Sequence, residues 1–195
     1  KIILDIGENG AFDDNGVVPI SVVRDGDKIL LYYIGFQLGV KTPYYMFCGL
    51  AISYDNGESF TRYSKSPILD RTHDDLFARC GVNVIKDGDK FKMWYIGSYK
   101  EGWVEKDGKK LPLYTMKYLE SKDGLDFGNK SGAKCLDFKN DDEHGFGRPF
   151  VYKDGEKYKM FYSIRTYLSG YQIGYAESSN GISWQRLDEK FIIDK

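Results

Sequence analysis

The sequence predicts an all-β chain of β-propeller type, on three observations. An Asp-Gly pair recurs at Asp25-Gly26, Asp87-Gly88 and Asp154-Gly155, at periods of 62 and 67 residues. Each copy lies between runs rich in Val, Ile, Tyr, Phe and Trp, which suit a pleated sheet. No window carries a helical stripe with caps, so helix is expected to make up less than about a tenth of the chain. A repeat of this length is a supersecondary unit that packs on copies of itself.

Each repeat begins with one hairpin. Val22-Val23-Arg24-Asp25-Gly26-Asp27-Lys28 leads into Leu31-Tyr32-Tyr33-Ile34-Gly35. Val84-Ile85-Lys86-Asp87-Gly88-Asp89-Lys90 leads into Met93-Trp94-Tyr95-Ile96-Gly97. Val151-Tyr152-Lys153-Asp154-Gly155-Glu156-Lys157 leads into Met160-Phe161-Tyr162-Ser163. Asp and Gly both tolerate positive φ, so the expected turn is a tight primed one centred on the pair. A second hairpin follows through Asp55-Asn56-Gly57, Asp123-Gly124 and Asn180-Gly181. Two hairpins give four antiparallel strands, the make-up of one propeller blade. The expected organisation is a single partial propeller domain over residues 1–195, with blades at about 17–69, 80–137 and 147–190. Three blades leave strand edges open. Either a longer chain completes the ring, or another copy does, which makes homo-oligomerisation an expectation.

Ser53-Tyr54-Asp55-Asn56-Gly57-Glu58-Ser59-Phe60 is similar to the Asp-box turn of sialidase-like propellers. Turn chemistry alone explains it: a carboxylate closing on nearby N–H groups and an aromatic plug fix the outer hairpin.

Composition narrows the function. Lysine plus arginine number 28 and aspartate plus glutamate 29, giving a net charge of −1 with the signs interspersed. The absence of a basic stripe argues against nucleic acid as a partner. No apolar run approaches membrane length, and no leader is legible before Lys1, so a cytoplasmic protein without a membrane partner is expected. Cys48, Cys80 and Cys135 are odd in number and widely spaced, without a disulfide or zinc pattern. They read as reduced, half-buried thiols. No cofactor and no metal are expected: phosphate loops, Ser-His-Asp order and zinc spacing are all missing.

In a propeller the inner strand of each blade lines the central channel, and the residues before it stand at one mouth. There each repeat carries a carboxylate: Asp14, Asp75 and Glu143, eleven or twelve residues before the Asp-Gly pair. Brought together, like charges raise one another's pKa, leaving one carboxyl as acid and another as base, the division of labour that glycosidic cleavage needs. These three are the candidate catalytic residues. Polar residues of solvated entry loops would give the same pattern. Arg79, Arg148 and Arg165, His144 and Trp103 are candidate substrate-binding residues. The guanidinium groups suit carboxylates or sugar hydroxyls. Trp103 lies in an insertion from Lys100 to Leu113, where an aromatic ring can stack on the apolar face of a sugar.

Several segments carry a family resemblance: Ala11-Phe12-Asp13-Asp14-Asn15-Gly16-Val17-Val18-Pro19, Tyr33-Ile34-Gly35-Phe36-Gln37-Leu38-Gly39-Val40, Pro67-Ile68-Leu69-Asp70-Arg71, Gly147-Arg148-Pro149-Phe150-Val151 and Ile173-Gly174-Tyr175-Ala176-Glu177-Ser178. The chain resembles bacterial five-bladed propellers of the glycosidase type, similar in architecture to glycoside hydrolase families 43, 32 and 68. The resemblance implies a carbohydrate partner, five blades, links to surface polysaccharide, and catalytic carboxylates matching Asp14, Asp75 and Glu143. The sucrose-splitting branch's Trp-Met-Asn-Asp-Pro-Asn-Gly and Arg-Asp-Pro signatures are absent, and Ala78-Arg79-Cys80-Gly81 stands in place of the latter. Two functions follow: hydrolysis or transfer of a glycosidic bond by the carboxylates, or a non-catalytic propeller that binds a glycan or a protein. The discriminator is whether the acids face an open pocket or are neutralised by arginines.

Overall fold

The Asp-Gly turns set the strand pattern, in a form that differs from the expected one. In a computed structural model describing residues 1–191, Asp25 pairs with Lys28, Asp87 with Lys90 and Asp154 with Lys157. The aspartate is therefore the last strand residue, and the two-residue loop begins at the glycine. Gly26, Gly88 and Gly155 take φ of 59°, 64° and 60°, whereas the residue after each keeps negative φ. That is the Gly-X form of primed turn, which needs left-handed backbone only at its first position.

The strands form three four-stranded units, each an antiparallel meander. The first comprises β1 (Gly16–Asp25), β2 (Lys28–Leu38), β3 (Tyr44–Ser53) and β4 (Thr61–Arg62). The second comprises β5 (Ala78–Asp87), β6 (Lys90–Lys106), β7 (Lys109–Ser121) and β8 (Ala133–Lys134). The third comprises β9 (Glu143–Asp154), β10 (Lys157–Thr166), β11 (Gly170–Ser178) and β12 (Gln185–Arg186). Short parallel pairings, β3 with β5 and β7 with β9, join successive units. Among the described residues the one helical element is the 3-10 turn Asp188–Phe191.

Faces of neighbouring units pack on one another. Leu30, Tyr32, Leu50 and Ile52 of the first unit meet Val82, Val84, Phe91 and Met93 of the second. Trp94, Met116 and Tyr118 of the second meet Phe146, Val151, Tyr158 and Met160 of the third. In β10 the buried positions alternate, as a strand with one covered face requires. The three cysteines lie free and fully buried in these layers rather than half-buried, and burial pushes all three thiols up.

Polar links repeat from unit to unit with the sequence period. Ser21 Oγ accepts from Val84 N–H at 3.0 Å, and Asn83 Oδ1 accepts from Val151 N–H at 2.9 Å. Tyr32 O–H donates to the Gly124 carbonyl at 2.8 Å, and Trp94 Nε1–H donates to that of Gly181 at 2.7 Å. Asp25 pairs with Lys86 at 2.6 Å, and Asp87 with Lys153 at 2.9 Å. At the third unit the first two series carry Phe150 and Phe161, whose side chains have no donor or acceptor.

The second turns are held as their sequences suggest. Ser53, Ser121 and Ser178 each accept from a turn glycine N–H, while Asp55, Asp123 and Asn180 close on the N–H groups that follow.

The Lys100–Leu113 insertion is not a loop. It extends the β6–β7 hairpin to a further turn at Asp107-Gly108, where φ is 51° and 71°. Its pairing slips between Ser98 and Trp103, so Tyr99–Gly102 bulge out of the ladder. Lys100 there takes φ of 48°, a left-handed conformation uncommon outside glycine.

Candidate functional site

The entry-loop carboxylates lie where each unit begins, but each is held by partners in its own unit. Asp75 is fully buried. Its Oδ1 accepts from Lys117 Nζ at 2.6 Å, and its Oδ2 from Ser131 Oγ at 2.7 Å and Tyr95 O–H at 3.1 Å. Arg79 Nε stands 3.8 Å away. Burial, reinforced by the Asp75 charge, pushes the Tyr95 hydroxyl up to about 12, so it remains a donor at neutral pH. Both Glu143 oxygens face Arg186 in a two-point pair at 2.7 Å. Burial disfavours the Arg186 charge, yet the Glu143 bonds together with the nearby Tyr162, Asp188 and Glu143 outweigh it and the pKa rises.

In the first unit the matching residue is Asp13 rather than Asp14. Asp13 stands the same twelve residues before its turn as Asp75 does, and it repeats Asp75's bond to a tyrosine hydroxyl. It is buried and accepts from Tyr33 O–H at 3.1 Å and Arg62 Nε at 2.9 Å. Tyr33 and Tyr95 occupy equivalent positions. Two residues on, Gly35 and Gly97 leave room: a Cβ on either would lie 2.6 Å from Asp13 Cβ or Asp75 Oδ1. The third unit has buried Ile164 at that position. There Tyr162 O–H donates to Asp188 at 2.8 Å, and Arg186 joins Asp188 to Glu143. Asp14 itself is half-buried and accepts from Gly10 N–H at 2.9 Å. Among the described residues no hydrogen bond or ion pair connects Asp14, Asp75 and Glu143 to one another.

The expected binding residues divide. Arg79 is buried, donating to the carbonyls of Asp70 at 2.8 Å and Lys130 at 2.9 Å. It is therefore a strut rather than a group open to ligand. His144 is buried too, stacked on Tyr167 at 4.5 Å with a ring nitrogen 3.3 Å from the Pro112 carbonyl. Its burial lowers its pKa and favours the neutral ring. Arg165 donates to Tyr114 O–H at 2.8 Å. Arg148 is exposed on a bulge of β9 with φ of 50°.

Trp103 reaches a cavity. A cleft of about 690 Å³ opens between the start of β3 and the β6–β7 hairpin. Tyr45, Phe77, Tyr99 and Trp103 supply aromatic surface to it. Arg71, His73, Asp74, Lys100 and Glu101 supply polar groups at its wall. Phe77 and Tyr44 hold the Trp103 ring at centroid distances of 4.9 and 5.2 Å. Its indole Nε1–H is shielded from solvent and has no partner. Of these lining residues Trp103 is the one that the sequence marks as a candidate binding residue. The rest come together through the β6 bulge and the loop ahead of β5. Among the described residues no cluster of His, Cys, Asp and Glu could hold a metal ion. No helix there is long and apolar enough to cross a membrane.

No family model matches the sequence. Rv1502, an uncharacterised protein of Mycobacterium tuberculosis H37Rv, is 35% identical over 192 residues. MT1551, from strain CDC 1551, has the same identity over the same length. The alignment takes in 98% of this chain and 62% of each relative, so the chain spans less than two thirds of their length. Among solved structures, the Bombyx mori GH32 β-fructofuranosidase BmSUC1 is similar, with a TM-score of 0.67 at 18% identity, over 85% of this chain and 35% of its own. A thermostable family-43 glycoside hydrolase gives 0.67 at 21%, over 91% and 55%. A GH130 enzyme, from work on mannoside phosphorylases and β-1,2-mannosidic linkages in Candida mannan, gives 0.65 at 14%, over 94% and 55%. At such identities the likeness is one of fold: the chain has the all-β propeller architecture of these glycoside hydrolases.

Proposed function

We propose that the cleft between the first two units binds a carbohydrate, and that Asp75 and Glu143 serve the fold rather than bond cleavage. One observation carries the reading: Tyr45, Phe77, Tyr99 and Trp103 share a cavity of about 690 Å³ with Asp74, Glu101, Lys100 and Arg71. A sugar presents an apolar C–H face and a rim of hydroxyls. Aromatic rings fit the first, and planar charged groups the second. The size suits a short oligosaccharide. The fold neighbours, glycoside hydrolases by their descriptions, support sugar as the ligand class.

Against hydrolysis by the entry-loop carboxylates stand their partners. A general acid or nucleophile needs a free oxygen facing the substrate. Asp75 has one oxygen on Lys117 and the other on Tyr95 and Ser131, and Glu143 has both on Arg186. Hydrolysis remains a second reading on a different pair. Asp74 and Glu101 line the same cleft, are exposed, and make no ion pair among the described residues.

The test is binding of a neutral oligosaccharide panel, measured by calorimetry, with Trp103→Ala as the comparison. Loss of binding in a variant that keeps its thermal midpoint supports the reading. Unchanged binding rejects it.

A further inference from the structure

We infer that the cleft selects a sugar bearing one acidic group, and that Arg71 is the residue that recognises it. The inference rests on the cleft being a carbohydrate site and names the class of ligand. Arg71 lies in the loop ahead of Asp75, and its guanidinium packs 4.6 Å from the centroids of both Tyr45 and Phe47. Those two rings are nearly parallel, 12° apart, and the guanidinium lies over both. Stacking fixes the plane of a guanidinium without using its N–H donors. Among the described residues the Arg71 side chain donates no hydrogen bond, and its one ion pair is a 3.6 Å approach to exposed Asp70. A rigid donor fork is left facing the cavity, matched in geometry to a carboxylate or phosphate.

The surrounding charges confine the acid to that end of the cleft. Lys117 is committed to Asp75, and Lys134 pairs with Asp137. This leaves Lys100, which lies over the Tyr99 ring and shares the wall with Asp74 and Glu101. Those two carboxylates accept from hydroxyls and would repel a second acid. Arg71 also borders a further cavity of about 460 Å³, with Asp70, Asp126 and Asn129, so its guanidinium stands where the two cavities adjoin. An acidic group there would mark one end of the bound sugar.

Matched pairs of ligands test this. Short uronate oligosaccharides are compared with their methyl esters, and hexose phosphates with the parent sugars, by calorimetry on the whole chain. At least one acidic member should bind about tenfold to a hundredfold tighter than its neutral partner, as one charge-assisted pair allows. Which pair shows the preference tells carboxylate from phosphate. Arg71→Gln should remove the preference, so that the acidic and neutral members of a pair bind that variant equally, and Arg71→Lys should restore only part of it. If no acidic member is preferred, or if the preference survives Arg71→Gln, the inference falls while the cleft can stand. If Trp103→Ala leaves all binding unchanged, the carbohydrate cleft falls and this inference with it.

Discussion

Asp75→Asn separates a fold-holding carboxylate from a catalytic one. The substitution keeps the shape of the side chain, and Tyr95 and Ser131 can still bond an amide. Lys117 is different: only 8% exposed, it would face a neutral group at 2.6 Å. Leaving one partner of a buried ion pair alone costs about 3–5 kcal/mol. Arg79 adds little, since Asp70 and Lys130 carbonyls occupy its terminal nitrogens. In a domain of this size the loss corresponds to a thermal midpoint lower by about 8–15 °C. The same energy should appear in urea unfolding as a midpoint lower by roughly 1.5–2.5 M, taking a slope of about 2 kcal/mol per M. The double variant Asp75→Asn with Lys117→Met removes both charges and should recover most of that stability, because neither group is then left unpaired. An Asp75→Asn protein within about 0.5 kcal/mol of the parent would refute the reasoning, most plainly if turnover of a sugar substrate vanished with it.

Gly97→Ala would put a Cβ 2.6 Å from Asp75 Oδ1 and 2.7 Å from Lys117 Cδ, so urea unfolding should show a loss of about 1–3 kcal/mol. Tyr32→Phe leaves the Gly124 carbonyl without its 2.8 Å donor across the first two units, and calorimetric unfolding should register about 1–2 kcal/mol less stability. Asp87 is held below the usual carboxylate range by Lys92, then by Tyr158 and Lys153. A carboxyl lowered on folding stabilises fully above its unfolded value and loses that contribution as the pH falls through the folded one. Unfolding midpoints should therefore drop below about pH 4, and Asp87→Asn should remove about 1 kcal/mol or less of that dependence, since the group lies at the surface, where solvent screens its pairs.

The fold was legible because its signals are local. The repeated hairpins needed only the Asp-Gly pairs and their flanking Val and Tyr runs, and the Ser-Asp-Gly turns needed only neighbours within a few residues. The site was less legible for reasons of distance. Lys117, the counterion of Asp75, comes 42 residues later on β7, at a position where the other units have Gly49 and Gly174. A lysine set between Met116 and Tyr118 in an apolar strand, where every residue from 114 to 118 is buried, was the available signal. The sequence offset of Asp13 matches that of Asp75, but the run Asp13-Asp14 hid which of the two faced inward. Arg71 and Lys100 meet at one cleft only because β6 bulges by several residues, and a register slip leaves no mark in the hydrophobic pattern. The Tyr-Ile-Gly repeat did carry information. Its glycines mark the two units whose carboxylate packs beneath the tyrosine, and Ile164 marks the unit where the bonding changes.

The central claim, that carbohydrate binds beside Trp103, can be read from a single spectrum. The chain has three tryptophans, so a proton–nitrogen correlation spectrum should show three indole signals. Trp94 and Trp184 both donate to the Gly181 carbonyl, at 2.7 and 2.9 Å, away from the cleft. Trp103 alone faces the cleft, with an unpartnered N–H. Titration with an oligosaccharide that binds should shift the Trp103 signal progressively and leave the other two in place. Binding that moves the Trp94 or Trp184 signal while Trp103 stays fixed would contradict the account.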